Sequence, residues 1–535
     1  MTNSIAEIEN NDVLFVIGSN TKENHPVVAN RMIKAVRKGA RLIIADPRRV
    51  PLVRFAHLWL QQRPGTDVAL LSGMMHVILA EGLADRAFIE AQTEGFDEDF
   101  RRSIQAFTPE DASRITGVPK EKIVEAARWY ARGKRAGIYY TMGITQHSHG
   151  TDNVYSIANL ALLTGNLGKE SAGVNPLRGQ NNVQGSTDMG CSPNLYPGYQ
   201  RVAVPAVRER FEALWGVPLS GKDGLTTPEL LDGALTGSVR AIYIMGENPV
   251  VSDPDRAHTV KALSKLDLLV VQDIFPTETT ALAHVVLPAT AFAEKVGTFT
   301  NTERRVQRVR RVVDAPGQAW KDSHIIMELS SRLGYPMTYH HTEEIFQEIG
   351  RVWPAMAGMS YSRLGEEGGL QWPCPTPDHP GTPYLFKHGF PRGKARFTMV
   401  HYKPSPEQPD ESYPFILTTG RQLFQYHGGS MTRRVAPIEQ VAGRPYVEIC
   451  PEDAAALGVA AGDRVTVTSR RGAITVPVEV SRRPGRGVVF IPFHYREAAA
   501  NVLTSSAGLD PVCKIPSLKA TAVRIEKHHS GRGAS

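Results

Sequence analysis

The sequence predicts an α/β protein with two separate units built on short parallel sheets, followed by a C-terminal barrel of six or seven β-strands. Three observations point there. An apolar strand ending in a Gly-x-Asn turn occurs at Val13–Ile17 and again at Ala241–Met245. Each is followed by a helical pattern and then by a second apolar strand that ends in an aspartate, Asp46 or Asp273. Beyond Tyr413 the pattern changes to short β runs spaced by Gly and Pro turns.

In the first unit, Val13-Leu-Phe-Val-Ile17 is continuously apolar, as a strand covered on both faces must be, and Gly18-Ser19-Asn20 ends it. Pro26 to Lys38 reads as a helix stopped by Gly39, and Leu42-Ile-Ile-Ala45 as the next strand with Asp46 at its tip. In the second unit, Ala241-Ile-Tyr-Ile-Met245 runs into Gly246-Glu247-Asn248. A helix covers about Asp255 to Leu263, and Leu268-Leu-Val-Val-Gln272 ends in Asp273. Gly18 to Asp46 is 28 positions and Gly246 to Asp273 is 27, which marks an internal repeat. A glycine lets the backbone approach a phosphate, a helix N-terminus favours anions, and a strand-tip carboxylate accepts hydrogen bonds from a ribose or guanine. Two Rossmann-like dinucleotide-binding α/β domains are the natural inference. Neither unit carries G-x-G-x-x-G, which disfavours an ordinary NAD site. A Gly-x-Asn turn and a strand-tip acid also suit a plain turn and a helix cap, and it is their pairing in both units that favours nucleotides.

Between the units, Asp152 to Leu163 reads as a helix of small and apolar residues. After it comes a polar loop, Asn175-Pro-Leu-Arg178-Gly-Gln180-Asn-Asn-Val-Gln184-Gly-Ser-Thr-Asp188-Met-Gly190, with one cation and several side-chain amides. Such a loop either lies in solvent or lines a polar cavity. From about Pro316 to Pro404 helices and a Pro/Gly-rich stretch near Gln371 to Pro383 read as a connector wrapped over the larger domains. The β runs are Phe415–Leu417, Tyr446–Ile449, Arg464–Thr468, Ile474–Val476 and Val488–Ile491, with a short capped helix at Cys450–Gly458 among them. The expected domains are therefore residues 1–180, 181–315, 316–405 as connector, and 406–535 as barrel.

Length and 41% hydrophobic content allow roughly three or four domains. A net charge of +7 arises from 61 basic and 54 acidic residues spread along the chain, so no nucleic-acid partner is implied. The four cysteines, Cys191, Cys374, Cys450 and Cys513, stand far apart without a C-x-x-C pair. That fits neither a disulfide framework nor an iron-sulfur or zinc site, and each is expected to be a small buried residue. His147 and His149 form H-x-H, but nothing nearby completes a metal set, so they read as loop histidines and no metal ligand is assigned. With no basic and apolar leader at the N-terminus and no span long enough for a bilayer, a soluble cytoplasmic protein is expected.

Several of these segments resemble the catalytic subunits of formate dehydrogenases, within the dimethyl sulfoxide reductase superfamily of bis-molybdopterin guanine dinucleotide enzymes. The resemblance rests on Leu163-Thr-Gly-Asn-Leu-Gly168, Gly173-Val-Asn-Pro-Leu-Arg-Gly-Gln-Asn-Asn-Val-Gln-Gly185 and Val271-Gln-Asp-Ile-Phe275. In the barrel it rests on Pro451-x-Asp-Ala-x-x-Leu-Gly458 and Gly462-Asp-x-Val-x-Val467. It implies two pterin dinucleotides around one molybdenum or tungsten, each guanosine in its own α/β half. By this resemblance Asn20, Asp46, Arg48 and Thr66 serve one dinucleotide, with Gly143 and Gln146 beside the pterin. Gly246, Asp273 and Thr277 serve the other, and Arg421, Gln425, His427 and Asn501 act as cofactor clamps of the barrel. Arg178 matches the arginine that holds the formate carboxylate, a role suited to guanidinium geometry, and Gln180 lines the same pocket. For Arg178 the alternative is a pairing with a pterin phosphate or a buried carboxylate.

The resemblance also implies an N-terminal [4Fe-4S] motif and a selenocysteine or cysteine metal ligand followed by a catalytic histidine, none of which this chain contains. Either a selenocysteine UGA codon was read as a stop and the chain starts at a later Met, or a separate polypeptide supplies that piece. The implied reaction is formate to carbon dioxide, with electrons leaving for a subunit or acceptor that carries iron-sulfur clusters, and little or no turnover is expected from this chain alone. Its truncated surface is expected to lower solubility. A nitrate reductase of the same superfamily and a non-catalytic pterin-binding partner of a split enzyme are the competing readings.

Overall fold

The computed structural model describes residues 1–528, and the chain divides into two units. One holds residues 1–177, 251–257 and 384–528; the other holds residues 178–250 and 258–383. In the first unit, β1 (Val13–Ile17), β2 (Arg41–Ala45), β3 (Leu58–Leu60), β4 (Ala136–Tyr140) and β5 (Gly173–Pro176) form one sheet in the order β3-β2-β1-β4-β5. All of its pairings are parallel. Every residue of β1 and β4 is buried, because helices cover both faces. Val13, Phe15 and Ile17 enter one core with Leu70 and Leu71 of helix Asp67–Ala80 and Leu160 of helix Gly150–Leu163. Leu14 and Val16 enter the other with Val28 and Met32 of helix Pro26–Arg37. Each fully buried aliphatic side chain of this kind contributes roughly 1.5–3 kcal/mol.

The chain steps outward from β1 to β3 and returns on the other side of β1 as β4. That reversal opens a crevice between the C-terminal ends of β1 and β4, the switch point where open α/β sheets bind ligands.

Further along the same unit, a closed six-stranded barrel forms after residue 414. Counting the strands of the second unit described below as β6 to β11, its strands are β12 (Phe415–Gly420), β13 (Val447–Ile449), β14 (Arg464–Thr468), β15 (Ala473–Val480), β16 (Val488–Pro492) and β17 (Thr521–Lys527), in the order β12-β16-β13-β15-β14-β17. Five of them match the runs expected from sequence. The sixth, β17, closes the barrel against β12 and β14. The barrel is fastened to the tip of β2. Arg48 donates to Glu448 of β13 from Nε at 3.1 Å and Nη2 at 2.5 Å, and its guanidinium lies 3.4 Å over the ring of Phe490 on β16. Glu448 is fully buried and Arg48 nearly so. Beside them, Arg483 donates to Glu23 at 2.7 Å.

The second unit carries β6 (Ala241–Met245), β7 (Leu268–Asp273) and β8 (Val285–Pro288), parallel and in the order β8-β7-β6. The repeat suggested by sequence extends to hydrogen bonds. Gly18 N–H donates to Ala45 at 2.9 Å, and Gly246 N–H donates to Gln272 at 2.8 Å. His57 donates its N–H to Leu42 and accepts the Leu42 N–H on Nδ1 at 3.1 Å; His284 does the same with Leu269, accepting on Nδ1 at 2.9 Å. An antiparallel sheet of β9 (Gly297–Thr300), β10 (Arg305–Val309) and β11 (Leu370–Gln371) follows. It shares a core with Phe346, Trp353, Met356 and Leu364, so residues 316–383 build a packed layer of this unit in addition to connecting.

Three expectations are corrected. The polar loop contains a short helix, Val183–Asp188, started by Asn182 with φ 59°. Cys374 and Cys450 are buried as expected, but Cys191 and Cys513 are exposed, where a small apolar side chain costs little. The helix Pro451–Ala456 has no side-chain cap from Cys450, a thiol being a weak hydrogen-bond partner. Among the described residues no helix is long and apolar enough to cross a membrane.

Removing one partner of the Arg48–Glu448 pair leaves a buried charge alone. Glu448→Ala is expected to lower unfolding free energy by roughly 3–5 kcal/mol. The double variant Arg48→Met/Glu448→Leu should recover most of that loss, as read by urea denaturation of all three proteins.

Candidate functional site

At the switch point two glycines lie in contact. Gly143 N–H donates to Gly18 O at 3.2 Å, and a Cβ added at Gly143 would sit 2.4 Å from that same oxygen. Gly18 itself has φ +56°, the left-handed region that favours glycine. Around this bare backbone the first unit arranges a pocket lined by Asn20, Asn24, Asp46, Arg48, Gln62, Asp67, His147, Arg421, Phe490 and Lys519. The sheet supplies its floor and the barrel strands their ends as its wall.

The ionisable groups of the pocket are buried. Burial pushes the Asp46 carboxyl up to about 6, although the Arg48 N–H bonded to it at 2.9 Å and the Arg48, Arg483 and Lys519 charges pull it down. Burial likewise pushes Asp67 up to about 7 against its bond from Gln62. His147 is pushed down to about 3 by burial and by neighbouring His149, so at neutral pH its ring is uncharged. With Nε2 2.9 Å from Gly143 O, the tautomer that donates there leaves Nδ1 as an acceptor. Lys519 is pushed down to about 7 by burial, against the attraction of Asp46, and donates to Thr419 O at 2.8 Å. Among the buried atoms here, Asn20 Oδ1, Asn24 Oδ1, Gln62 Oε1 and His147 Nδ1 have no protein partner. Buried polar groups are rarely left unpaired, so this set fits an organic ligand rich in donors and acceptors.

Of the residues singled out in the sequence, Asn20, Asp46, Arg48, Gly143 and Arg421 line this pocket. Thr66 sits between two of its lining residues and donates to Arg63 O at 2.7 Å. Gln146 accepts the Leu518 N–H through its carbonyl at 3.1 Å, holding the segment that carries Lys519. In the barrel, Gln425 is bonded to Glu439, Ala442 and Thr432. Asn501 donates to Val251 O and Ser252 O and accepts from Thr504. The carbonyl of His427, a residue with φ 46°, is bonded to His494. The polar groups of Gln425 and Asn501 thus already serve the protein, and neither residue lines the pocket.

In the second unit Gly246 has φ +68° with open space where a Cβ would be. Asp273 Oδ1 accepts the Ile274 N–H at 2.6 Å, and Thr277 exchanges bonds with Thr280. Arg178 is half-buried; its N–H donates to Thr302 Oγ1 at 3.0 Å and its Nε to Gln184 Oε1 at 3.4 Å. Gln180 is exposed.

Sequence reasoning missed Asn24, Gln62, Asp67 and Lys519 and read His147 only as a loop residue. An acid opening the apolar helix Asp67–Ala80 was the one available signal, since an aspartate at a helix start ordinarily only complements the dipole.

The Asp67 shift sets a pH dependence. Its folded value lies above the ordinary 3.8, so the folded state holds a proton that the unfolded state releases, and stability is lost as pH rises from about 4 through about 7. Asp67→Asn cannot lose that proton. In cofactor-free protein the melting temperature of the variant relative to the parent is therefore expected to be higher at pH 8 than at pH 5, by calorimetry; an equal difference at both pH values would place the Asp67 titration outside this window.

Residues 1–332 match the family described as Molybdopterin oxidoreductase, and residues 415–522 match the Molydopterin dinucleotide binding domain. The F420-dependent formate dehydrogenase subunit alpha of Methanocaldococcus jannaschii is 50% identical over 98% of this chain and 78% of that protein. Formate dehydrogenase H of Escherichia coli is 43% identical over 100% of this chain and 75% of that protein. Among solved structures, the acetylene hydratase of Pelobacter acetylenicus matches with a TM-score of 0.78 over 98% of this chain and 79% of that one, at 21% identity, a likeness of fold. A polar, glycine-floored switch point in a chain that matches along nearly its whole length identifies it as a member of the molybdopterin oxidoreductase family, among the formate dehydrogenases.

Proposed function

We propose that this chain is the catalytic subunit of a formate dehydrogenase, oxidising formate to carbon dioxide, a proton and two electrons at a molybdenum or tungsten centre held by two molybdopterin guanine dinucleotides. The observation that carries the substrate is Arg178, a planar guanidinium fork anchored at its backbone N–H and at Nε, in a chain matched along nearly its whole length by relatives named formate dehydrogenases. Gln180, on the same turn, adds a side-chain amide.

The switch-point pocket suits one dinucleotide. Asn20, Asp46, Thr66, Gly143 and Gln146 would hold it, with Asn24, Gln62 and His147 offering the unpartnered atoms and Arg421 and Lys519 the positive charge. Arg48, engaged by Glu448 and Phe490, would act mainly by fixing Asp46 through its N–H. Gly246, Asp273 and Thr277 would hold the other dinucleotide, while Gln425, His427 and Asn501 keep the barrel ends in shape. When bound, the metal and its pterins supply the two-electron redox centre. The protein contributes a water-poor cavity and an oriented carboxylate.

Electrons would leave for a partner subunit or acceptor with iron-sulfur clusters, and the enzyme would work in the cytoplasm. Turnover would need a cysteine or selenocysteine metal ligand, a neighbouring histidine and a [4Fe-4S] cluster, which the four scattered cysteines of this chain do not provide.

Two measurements test this. In the assembled, metal-loaded enzyme, Arg178→Lys is expected to raise the KM for formate about tenfold to a hundredfold, the weight of a charged hydrogen-bonding pair; an unchanged KM refutes the substrate assignment. The chain supplied with cofactor but no other polypeptide is expected to give no formate-dependent reduction of a viologen dye, and steady reduction would show the additional ligand and cluster to be dispensable.

A further inference from the structure

Behind Arg178 lies a set of buried polar groups that substrate binding itself does not explain. Gln184, whose Oε1 accepts from Arg178 Nε, donates from Nε2 to Asp188 Oδ1 at 2.8 Å and to the Tyr199 hydroxyl oxygen at 2.8 Å. Tyr199 donates its hydroxyl to Asp188 Oδ1 at 2.7 Å, and Trp372 donates Nε1 to Asp188 Oδ2 at 2.8 Å. Gln184 is 4% exposed and Asp188 0%. Glutamine and aspartate stand four residues apart on the helix Val183–Asp188, one above the other on the same face.

This arrangement removes the freedom of the amide. Both Nε2 hydrogens are committed to acceptors, so turning the amide over would set its oxygen against the Asp188 carboxylate. The carboxylate therefore fixes the amide, and the amide fixes the guanidinium plane. Asp188 has three donors on its two oxygens; burial pushes its pKa up, and those bonds together with the Arg178 charge pull it down. The surrounding backbone is held in conformations that non-glycine residues seldom adopt: Tyr199 has φ 63° and Asn182 φ 59°. Asn182 Oδ1 accepts the Thr300 N–H at 2.9 Å, so the loop is tied to β9 from its other end.

We propose that Asp188 is the positioning residue for Arg178: through Gln184 it holds the guanidinium in one plane, with Tyr199 and Trp372 securing the carboxylate, so that the fork meets a planar carboxylate already oriented. The inference rests on Arg178 being the group that binds formate, and it deepens that reading by naming what gives the arginine its geometry.

The test compares Asp188→Asn, Tyr199→Phe, Arg178→Lys and the double variant Asp188→Asn/Arg178→Lys in the assembled enzyme. Asp188→Asn keeps the shape but removes the charge and one acceptor; it is expected to raise the KM for formate about tenfold with kcat nearly unchanged. Tyr199→Phe removes only a hydroxyl from a partly exposed side chain and is expected to shift KM in the same direction by less, which keeps the test open if Asp188→Asn does not fold. In the Arg178→Lys background Asp188→Asn should add nothing further. A readout independent of turnover is the broadening of the [13C]formate NMR signal by the cofactor-free chain, whose Kd should rise in parallel. If Arg178→Lys raises KM while Asp188→Asn and Tyr199→Phe leave KM and Kd unchanged, positioning by Asp188 is overturned and the substrate assignment stands. Full additivity in the double variant also overturns it, because Asp188 would then act elsewhere. An Arg178→Lys variant with unchanged KM overturns both.

Discussion

Arg48 and Glu448 meet away from water at the tip of the first sheet, and the switch-point pocket depends on that meeting. The pair joins a residue two positions beyond Asp46 to the middle of a barrel strand 400 residues later. A buried ion pair of this kind adds little net stability over a well-packed apolar pair, but it accepts only one arrangement of the two elements. The same arginine donates its N–H to Asp46 and lies on Phe490, so the clamp and the pocket wall are set by one side chain. A barrel displaced by even a fraction of a side chain would open the pocket to water and release the titratable groups inside it.

Those groups explain why the pocket needs a ligand. Two carboxyls with raised pKa, a neutral histidine and a lysine with a lowered pKa are buried around one pocket. Without a partner their desolvation opposes folding, and a ligand that bonds to them stabilises the folded state by mass action as well as filling a cavity. Tolerating such a cluster is the usual compromise of a functional site, where local stability is set below what apolar packing would give.

Much of the scaffold was legible in the sequence because it is governed by local patterning. The strands Val13–Ile17 and Ala241–Met245 have the bounds that their apolar runs suggest, and both end at a glycine with positive φ. The strand Thr521–Lys527 escaped notice because Arg524, Glu526 and Lys527 interrupt its apolar run, although Ala522, Val523 and Ile525 are buried in the barrel. The helix Val183–Asp188 was hidden for a different reason: Gly, Ser, Thr and Asp are weak helix formers, and bonds donated by Thr300, Tyr199 and Trp372 hold it in place. Arg178 stood out as the one cation in an amide-rich loop, whereas Asp188 looked like any polar loop residue until Trp372 was brought to it. Lys519 and Asp67 could not be placed around one pocket from sequence, since nothing in either neighbourhood records the other.

The long separation between the halves of the first unit also governs how the protein comes into being. Residues 1–177 hold a complete parallel sheet with cores on both faces, which can take shape while the rest of the chain is still being made. Glu448 leaves the ribosome 400 residues after Arg48, a delay of roughly 20–80 s at ordinary elongation rates. Throughout that interval the guanidinium at the tip of β2 has no buried partner, and the pocket lacks Phe490 and Lys519. A dinucleotide cannot be enclosed by a nascent chain under these conditions, so loading falls to the finished polypeptide, and a cofactor-free form must survive long enough in the cell to receive it.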